Sequence, residues 1–241
     1  NFLDESIHAY QYAKEVLAQV DAGLKSTGNK VGFTIEELQK QAYDLRQATQ
    51  IDDDKILQEV TAILVTFTSI RGQVFKDAQQ AVLDLSTRMG GDLKSASVQI
   101  GKALNDPIKG ITALRRVGVS FTESQQDMIK SLTETGRLEE AQAMILKELN
   151  TEFGGSAKAA ADADGGLMRL RNGIMDVQDH VGNLITHAIL PLADSFGKWL
   201  ESIKLEDVKR FIGILGTLGK IVLSLGRMWL TYTIATKTQL L

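Results

Sequence analysis

The chain has 241 residues, 44% of them hydrophobic, with two prolines, 6% aromatic residues, no cysteine and a formal net charge of −3. Scarce proline leaves long helices unbroken and few aromatics argue against a β-sandwich, so composition points to an all-α chain large enough for one or two domains. The absence of cysteine excludes disulfides and thiolate metal sites, and interspersed charge without a basic block excludes an autonomous nucleic-acid interface.

Residue 1 is Asn and no signal-peptide pattern follows, so the chain reads as an internal piece of a longer protein. Phe2, Tyr10, Ala13, Leu17 and Val20 fall near helical spacing, and this first helix is expected to end around Asp21-Ala22-Gly23. Thr34 with Glu37 forms a capping box, opening a helix that carries Leu38, Ala42 and Leu45 inward and ends near Thr49. Asp52-Asp53-Asp54 suits the positive end of the next helix; the alternative, a cation site, lacks the glycine and distal Glu of an EF-hand loop. Ile56, Val60, Ile63, Leu64 and Phe67 form the buried stripe of that helix. After Gly72 comes a helix with Val74, Phe75, Ala78, Val82, Leu85 and Met89.

Gly90-Gly91 stops that helix, and Asp92 caps another that runs to about Asn105. Asn105-Asp106-Pro107 breaks it, because the residue before proline avoids the helical region. A short helix should then span Ile108 to Val117. Thr122 and Gln125 form a second capping box, ahead of a helix burying Met128, Ile129 and Leu132. Leu138, Ala141, Ile145 and Leu149 give one further stripe, closed by Phe153-Gly154-Gly155.

Residues 1–155 therefore read as a compact multi-helix module, and 156–166, rich in Ala, Asp and Gly, as a linker or weak helix. Over 167–203 the pattern is that of a long heptad helix. Leu167, Leu170, Ile174, Val177, Val181, Leu184 and Ala188 alternate at spacings of 3 and 4, with Leu192, Phe196 and Trp199 continuing out of phase beyond Pro191. Such a stripe packs either on its own domain or as a self-association seam between chains. Residues 204–241 hold an apolar helix, from Phe211 to Thr236, with a polar stripe of Gly213, Thr217, Lys220, Ser224, Arg227 and Thr231. About 26 residues would reach roughly 39 Å, enough for a bilayer core. Two central cations would each cost about 2.5–3.5 kcal/mol there. A helix buried in an assembly is favoured, with an oligomeric membrane or pore stripe as the alternative.

Catalytic chemistry finds little support. His180 and His187 lie two turns apart on one helix, too far to share an ion, and Asp176, Asp179 and Ser195 cannot fold back along that helix into a triad. Glu139, Glu140 and Glu201 read as surface acids, and Lys109, Arg115 and Arg116 as a solvated face. No catalytic, cofactor-binding or metal residues are assigned, and no enzyme activity is expected.

Ala103-Leu104-Asn105-Asp106-Pro107-Ile108-Lys109-Gly110, running on through Ile111 to Thr122, resembles a signature of phage tail-length tape measure proteins. Thr61 to Phe75, Gly90 to Ala96, Ala141 to Leu149 and Phe153 to Ala157 are similar to further blocks of that family, in family order, over about residues 30–185. The resemblance implies a non-enzymatic virion protein, made in the bacterial host cytoplasm and housed in the tail lumen. There it would help set tail length and assist genome ejection. It implies tail tube and tail tip proteins, tail assembly chaperones and further copies of the chain (a trimer) as partners, with the host inner membrane a partner during ejection. The alternative function is pore formation or membrane translocation through helix 211–236. The many caps and turns before residue 155 depart from a plain rod, so this stretch reads as a folded module attached to the ruler. Asn105, Asp106, Pro107 and Gly110 are expected to determine the fold, not to bind a ligand.

Overall fold

Side-chain caps decide where most of these helices begin. In the computed structural model, which describes residues 2–164, 166–189, 191–192, 195, 198 and 205–238, no strand is present among the described residues. Phe196, Trp199 and Glu201 lie outside them, as do the side chains of Phe2 and Thr231. Helix α1 (Phe2–Ser26) runs one turn past its expected end. Gly23 does not stop it; the glycine faces the side chain of Val65 at a distance that leaves little room for a Cβ. Helix α2 (Ile35–Thr49) opens on the expected capping box, with the Thr34 hydroxyl accepting from the Glu37 N–H at 3.3 Å and the Glu37 carboxylate accepting from the Thr34 N–H at 2.8 Å. Asp52 caps α3 (Asp53–Ile56) by accepting from the Lys55 N–H.

The chain then winds as a π-helix over Leu57–Thr61 before α4 (Ala62–Leu64), so Phe67 lies beyond the helix end. A π-turn loosens the backbone ladder. Here Ser97 donates to the Glu59 carbonyl at 2.7 Å and buried Gln79 donates to the Thr61 hydroxyl at 2.8 Å, so neighbouring helices supply partners at the loosened turn.

Helices α5 (Gly72–Arg88) and α6 (Leu93–Asn105) are separated by Gly90 and Gly91, both at positive φ, and Asp92 caps α6 through the Ser95 N–H. Helix α7 (Pro107–Arg115) follows after one residue, ending two residues before the expected Val117. Asp106 accepts from the Lys109 N–H and Pro107 occupies the first turn, where its missing N–H costs nothing. The corner closes tightly: a Cβ on Gly110 would stand 2.1 Å from the Cα of Ala103. Asn105 accepts from the Ser69 hydroxyl, and buried Gln142 donates to the carbonyls of Leu104 and Ser69. The four motif residues therefore make a helix corner.

Helix α8 (Glu123–Glu134) starts on the second capping box, and α9 (Leu138–Phe153) follows. Ile129 and Leu132 are buried as expected, but Met128 faces solvent. Within the stretch read as a linker or weak helix, α10 (Ser156–Ala163) packs Ala157 and Ala161 inward. Its N-terminus has no local cap, and buried Asp84 of α5 supplies one by accepting from the Ala157 N–H at 2.9 Å. Helix α11 (Leu167–Leu184) and a π-helical segment (Ile185–Ile189) come next, and α12 (Leu205–Thr238) is last.

Two compact units result, Asn1–Asn183 and Leu184–Leu241, so the first extends past residue 155 to include α10 and nearly all of α11. Phe75, Leu38, Ile56, Leu64, Leu83, Ile100, Leu104, Ile129 and Ile145 are among the large side chains fully buried in the first unit's core. The second unit contains α12, whose 34 residues span about 51 Å. Among the described residues, no helix is long and apolar enough to cross a membrane.

The corner geometry makes a paired prediction. Gly110→Ala should cost about 1–3 kcal/mol by overpacking, whereas Gly173→Ala, on a helix with open space around the new methyl, should gain about 0.5–1 kcal/mol. Urea unfolding of the two variants measures both, and equal effects would refute the close approach.

Candidate functional site

Helix α11 and the surface beneath it form the candidate site. The stripe read from the heptad does not pack on the body. Leu167 is 71% exposed, Leu170 63%, Ile174 51% and Val177 54%, while Val181 is half-buried. Leu184 and Ala188, at the start of the second unit, are exposed too. The opposite, polar side of α11 faces inward instead. Asn172 and Gly182 are buried, and Met175, Asp176 and Asp179 are half-buried.

Arg46 is the reason. It lies on the inward stripe of α2 with Leu38, Ala42 and Thr49, and it is 5% exposed. A guanidinium cannot give up its charge, so burial demands acceptors. Nη1 donates to Asp53 at 3.0 Å; Nη2 donates to Asp176 at 2.7 Å and to the Asn172 carbonyl at 3.0 Å. The Asn172 amide returns a bond to the Gln50 carbonyl at 3.1 Å. Burial alone would lower the Arg46 pKa, but the Asp176 hydrogen bond and the charges of Asp53, Asp176 and Asp52 outweigh it and hold it above its ordinary value. Gly182 allows α11 to touch α1, since a Cβ there would stand 2.0 Å from the Ser6 carbonyl oxygen. Gln178 reaches Glu5 of α1 at 3.2 Å.

Around Arg46 stand Asp52, Asp53, Asp54, Asp176 and Asp179, a surplus of negative charge. Burial, with the charges of Asp52, Asp53 and Asp179 added, pushes Asp54 up to about 7 against the opposing pull of Arg46. Burial and the charges of Asp52, Asp53 and Asp176 likewise raise Asp179. Tyr12 of α1 is raised by burial and by Asp54, Asp52 and Glu59. Even so, among the described residues no group of three or more His, Asp or Glu is arranged to hold a metal ion.

The remaining sequence candidates make local contacts. His180 bonds the Asp176 carbonyl one turn back. Glu140 pairs with Arg137, and Lys109 with Asp106 at 3.0 Å. On α12, Thr217 donates to the Gly213 carbonyl and Ser224 to the Ile221 carbonyl, and Lys220 and Arg227 are exposed. Arg46, Asn172 and Gly182 escaped the sequence reading. Their signal was present, since Arg46 continues the 4-residue spacing of Leu38 and Ala42, and Asn172, Asp176, Asp179 and Gly182 line the face opposite the heptad.

Comparison of the chain with protein-family models, with curated proteins and with solved structures gives no match.

Two outcomes follow for the first unit. A carboxyl raised from 3.8 to about 7 in the folded state binds a proton that the unfolded chain releases, so stability falls as pH rises from about 4 to about 7 and levels above that. Asp54→Asn should flatten this slope and raise the thermal midpoint more at pH 8 than at pH 4; an unchanged slope assigns the proton elsewhere. Arg46→Ala should cost about 1–3 kcal/mol, less than a fully buried pair would lose because Asp176 remains half in water. It should also speed tryptic cleavage at Arg169 and Arg171 before the rest of the unit is cut. Cleavage at the wild-type rate would show that α11 is held by other contacts.

Proposed function

We propose that this chain is a structural piece of a phage tail tape measure protein: a folded helical module joined to a helical segment, acting by packing and assembly without catalysis. The signature from Ala103 to Gly110, in order with its companion blocks, carries the reading. What supports it physically is that those blocks coincide with junctions a fold of this kind needs. Thr61 to Phe75 covers the end of the π-turn and the entry to α5. Gly90 to Ala96 is the stop and cap before α6, and Phe153 to Ala157 leads into α10.

The module's home is the tail lumen, after assembly in the bacterial cytoplasm with tail assembly chaperones. Its neighbours there are tail tube and tail tip proteins and further copies of itself, and its part is to help fix tail length and to assist genome ejection. A compact unit makes a poor ruler because its length does not grow by 1.5 Å per residue. Helix α12 has the geometry of one, at about 51 Å for 34 residues. The division of labour is then a folded first unit for assembly or ejection and extended helix for length.

Electron microscopy of phage carrying in-frame deletions in the parent gene tests this. Removing 28 residues of α12 should shorten tails by about 42 Å. Removing 2–183 should shorten them far less than the roughly 270 Å that the same rise would give, while impairing assembly or infection. Particles normal in length, yield and infectivity in both cases would reject the assignment.

A further inference from the structure

We infer that α11 is a strap poised to lift from the first unit about Gly166, held closed by the Arg46 clamp and loosened by loss of a proton from the acids packed around that clamp. The inference does not depend on the tail reading.

Three observations carry it. First, the hold on α11 is polar. Arg46 grips Asp176 and the Asn172 carbonyl, Asn172 grips the Gln50 carbonyl, Gln178 reaches Glu5, and Gly182 lies against Ser6. Among the described residues of α11, Asn172 and Gly182 alone are buried, while Leu167, Leu170, Ile174 and Val177 already face water. Lifting the helix therefore uncovers little apolar area, and burial of such area is what ordinarily ties a helix down. A cavity of about 350 Å³ lies beneath it, lined by Met168 and Met175 of α11 and by Ile51, Ala157 and Ala161 of the body.

Second, the junction before α11 suits a hinge. Gly166 has a φ of +92°, in the region that favours glycine, and it follows α10, which packs Ala157 and Ala161 into the body. Residues at the ends of elements absorb the rotation when one element swings against another. Movement of the whole helix also lets water reach Arg46, so its charge is hydrated where deletion of one partner would strand it.

Third, the charge under the strap is unbalanced. Arg46 of α2 pairs with Asp53 of α3 and Asp176 of α11. Asp52 and Asp54 from the body and Asp179 from α11 add three more acids, with Tyr12 of α1 close to Asp52, Asp54 and Glu59. When Asp54 is ionised, it and Asp179 repel across the junction; when it is protonated they do not. Burial and the charges of Asp52, Asp53 and Asp179 push Asp54 up to about 7. Lifting α11 carries Asp179 away, so the lifted form holds that proton less tightly than the closed form. Rising pH therefore favours the lifted form until about 7 and has no further effect above it. One proton limits the change to about tenfold per pH unit.

Hydrogen exchange of the full chain, followed by mass spectrometry from pH 5 to pH 8 and corrected for the pH dependence of unprotected amides, tests this. A lifted helix of this length is marginal in water, so its amides exchange. Those of α11 should be less protected than those of α5 by more than about tenfold. Their protection should fall as pH approaches 7 and then level. Asp54→Asn should remove the fall and Asp179→Asn should reduce it, and either variant serves if the other fails to fold. Three results would each overturn the inference: α11 and α5 exchanging together, which would make α11 part of one cooperative unit; protection of α11 that does not change with pH; or a fall that persists undiminished in a folded variant.

Discussion

A guanidinium sealed beneath a helix sets the terms for the rest of the first unit. Arg46 cannot be neutralised, so every element packed over it must present an acceptor. Asp53 comes from α3, and Asp176 and the Asn172 carbonyl from α11. Those requirements fix the rotation of α11 about its own axis. Once the polar side is committed downward, the apolar stripe has to face out. Buried ion pairs are weak evidence for net stability, because desolvation offsets much of the attraction. Their effect here is on orientation: a helix docked by its greasier side would leave the Arg46 charge buried and short of acceptors.

The same junction explains the acidic surplus. One cation drawing carboxylates from two helices brings Asp52, Asp53, Asp54, Asp176 and Asp179 close, and burial together with the charges of Asp52, Asp53 and Asp179 pushes Asp54 up to about 7. The cluster thus follows from the architecture of the clamp. Protonation and helix docking are linked because Asp179, one of the charges acting on Asp54, rides on α11.

Much of this was legible in the chain, wherever the determinant was local. Both capping boxes, the Asp52 and Asp92 caps, the Gly90-Gly91 stop and the Asn105-Asp106-Pro107 corner involve residues within a few positions of one another, and all are found. What could not be read depends on distant partners. Residues 156–163 leave a linker and a weak helix both open, and the helix is decided by Asp84, 73 positions away, which caps Ala157. The π-turn at Leu57–Thr61 has no local marker, and Ser97 reaches it from α6. Met128 keeps helical spacing with Leu132 yet stays outside, since periodicity gives a face and not its depth. The heptad of α11 is the sharpest instance. An apolar stripe ordinarily turns inward, and only a buried cation on another helix reverses that.

The motif that carries the tail resemblance is accounted for by packing. Asp106 caps, Pro107 starts a helix, Gly110 permits contact with Ala103, and Asn105 holds Ser69. A motif with that role specifies a fold and leaves function to surfaces outside it. The two units expose such surfaces in different ways. Helix α11 shows one apolar face and hides one polar face. Helix α12 exposes Ile212, Leu215, Leu218, Ile221, Val222 and Leu225 around much of its circumference. On its polar stripe the Thr217 and Ser224 hydroxyls bond carbonyls of their own helix. Exposed apolar residues in that arrangement suit a helix to burial among other helices. The apolar surfaces of the two units thus have separate physical origins: in the first a stripe that Arg46 has turned outward, in the second the apolar composition of one long helix.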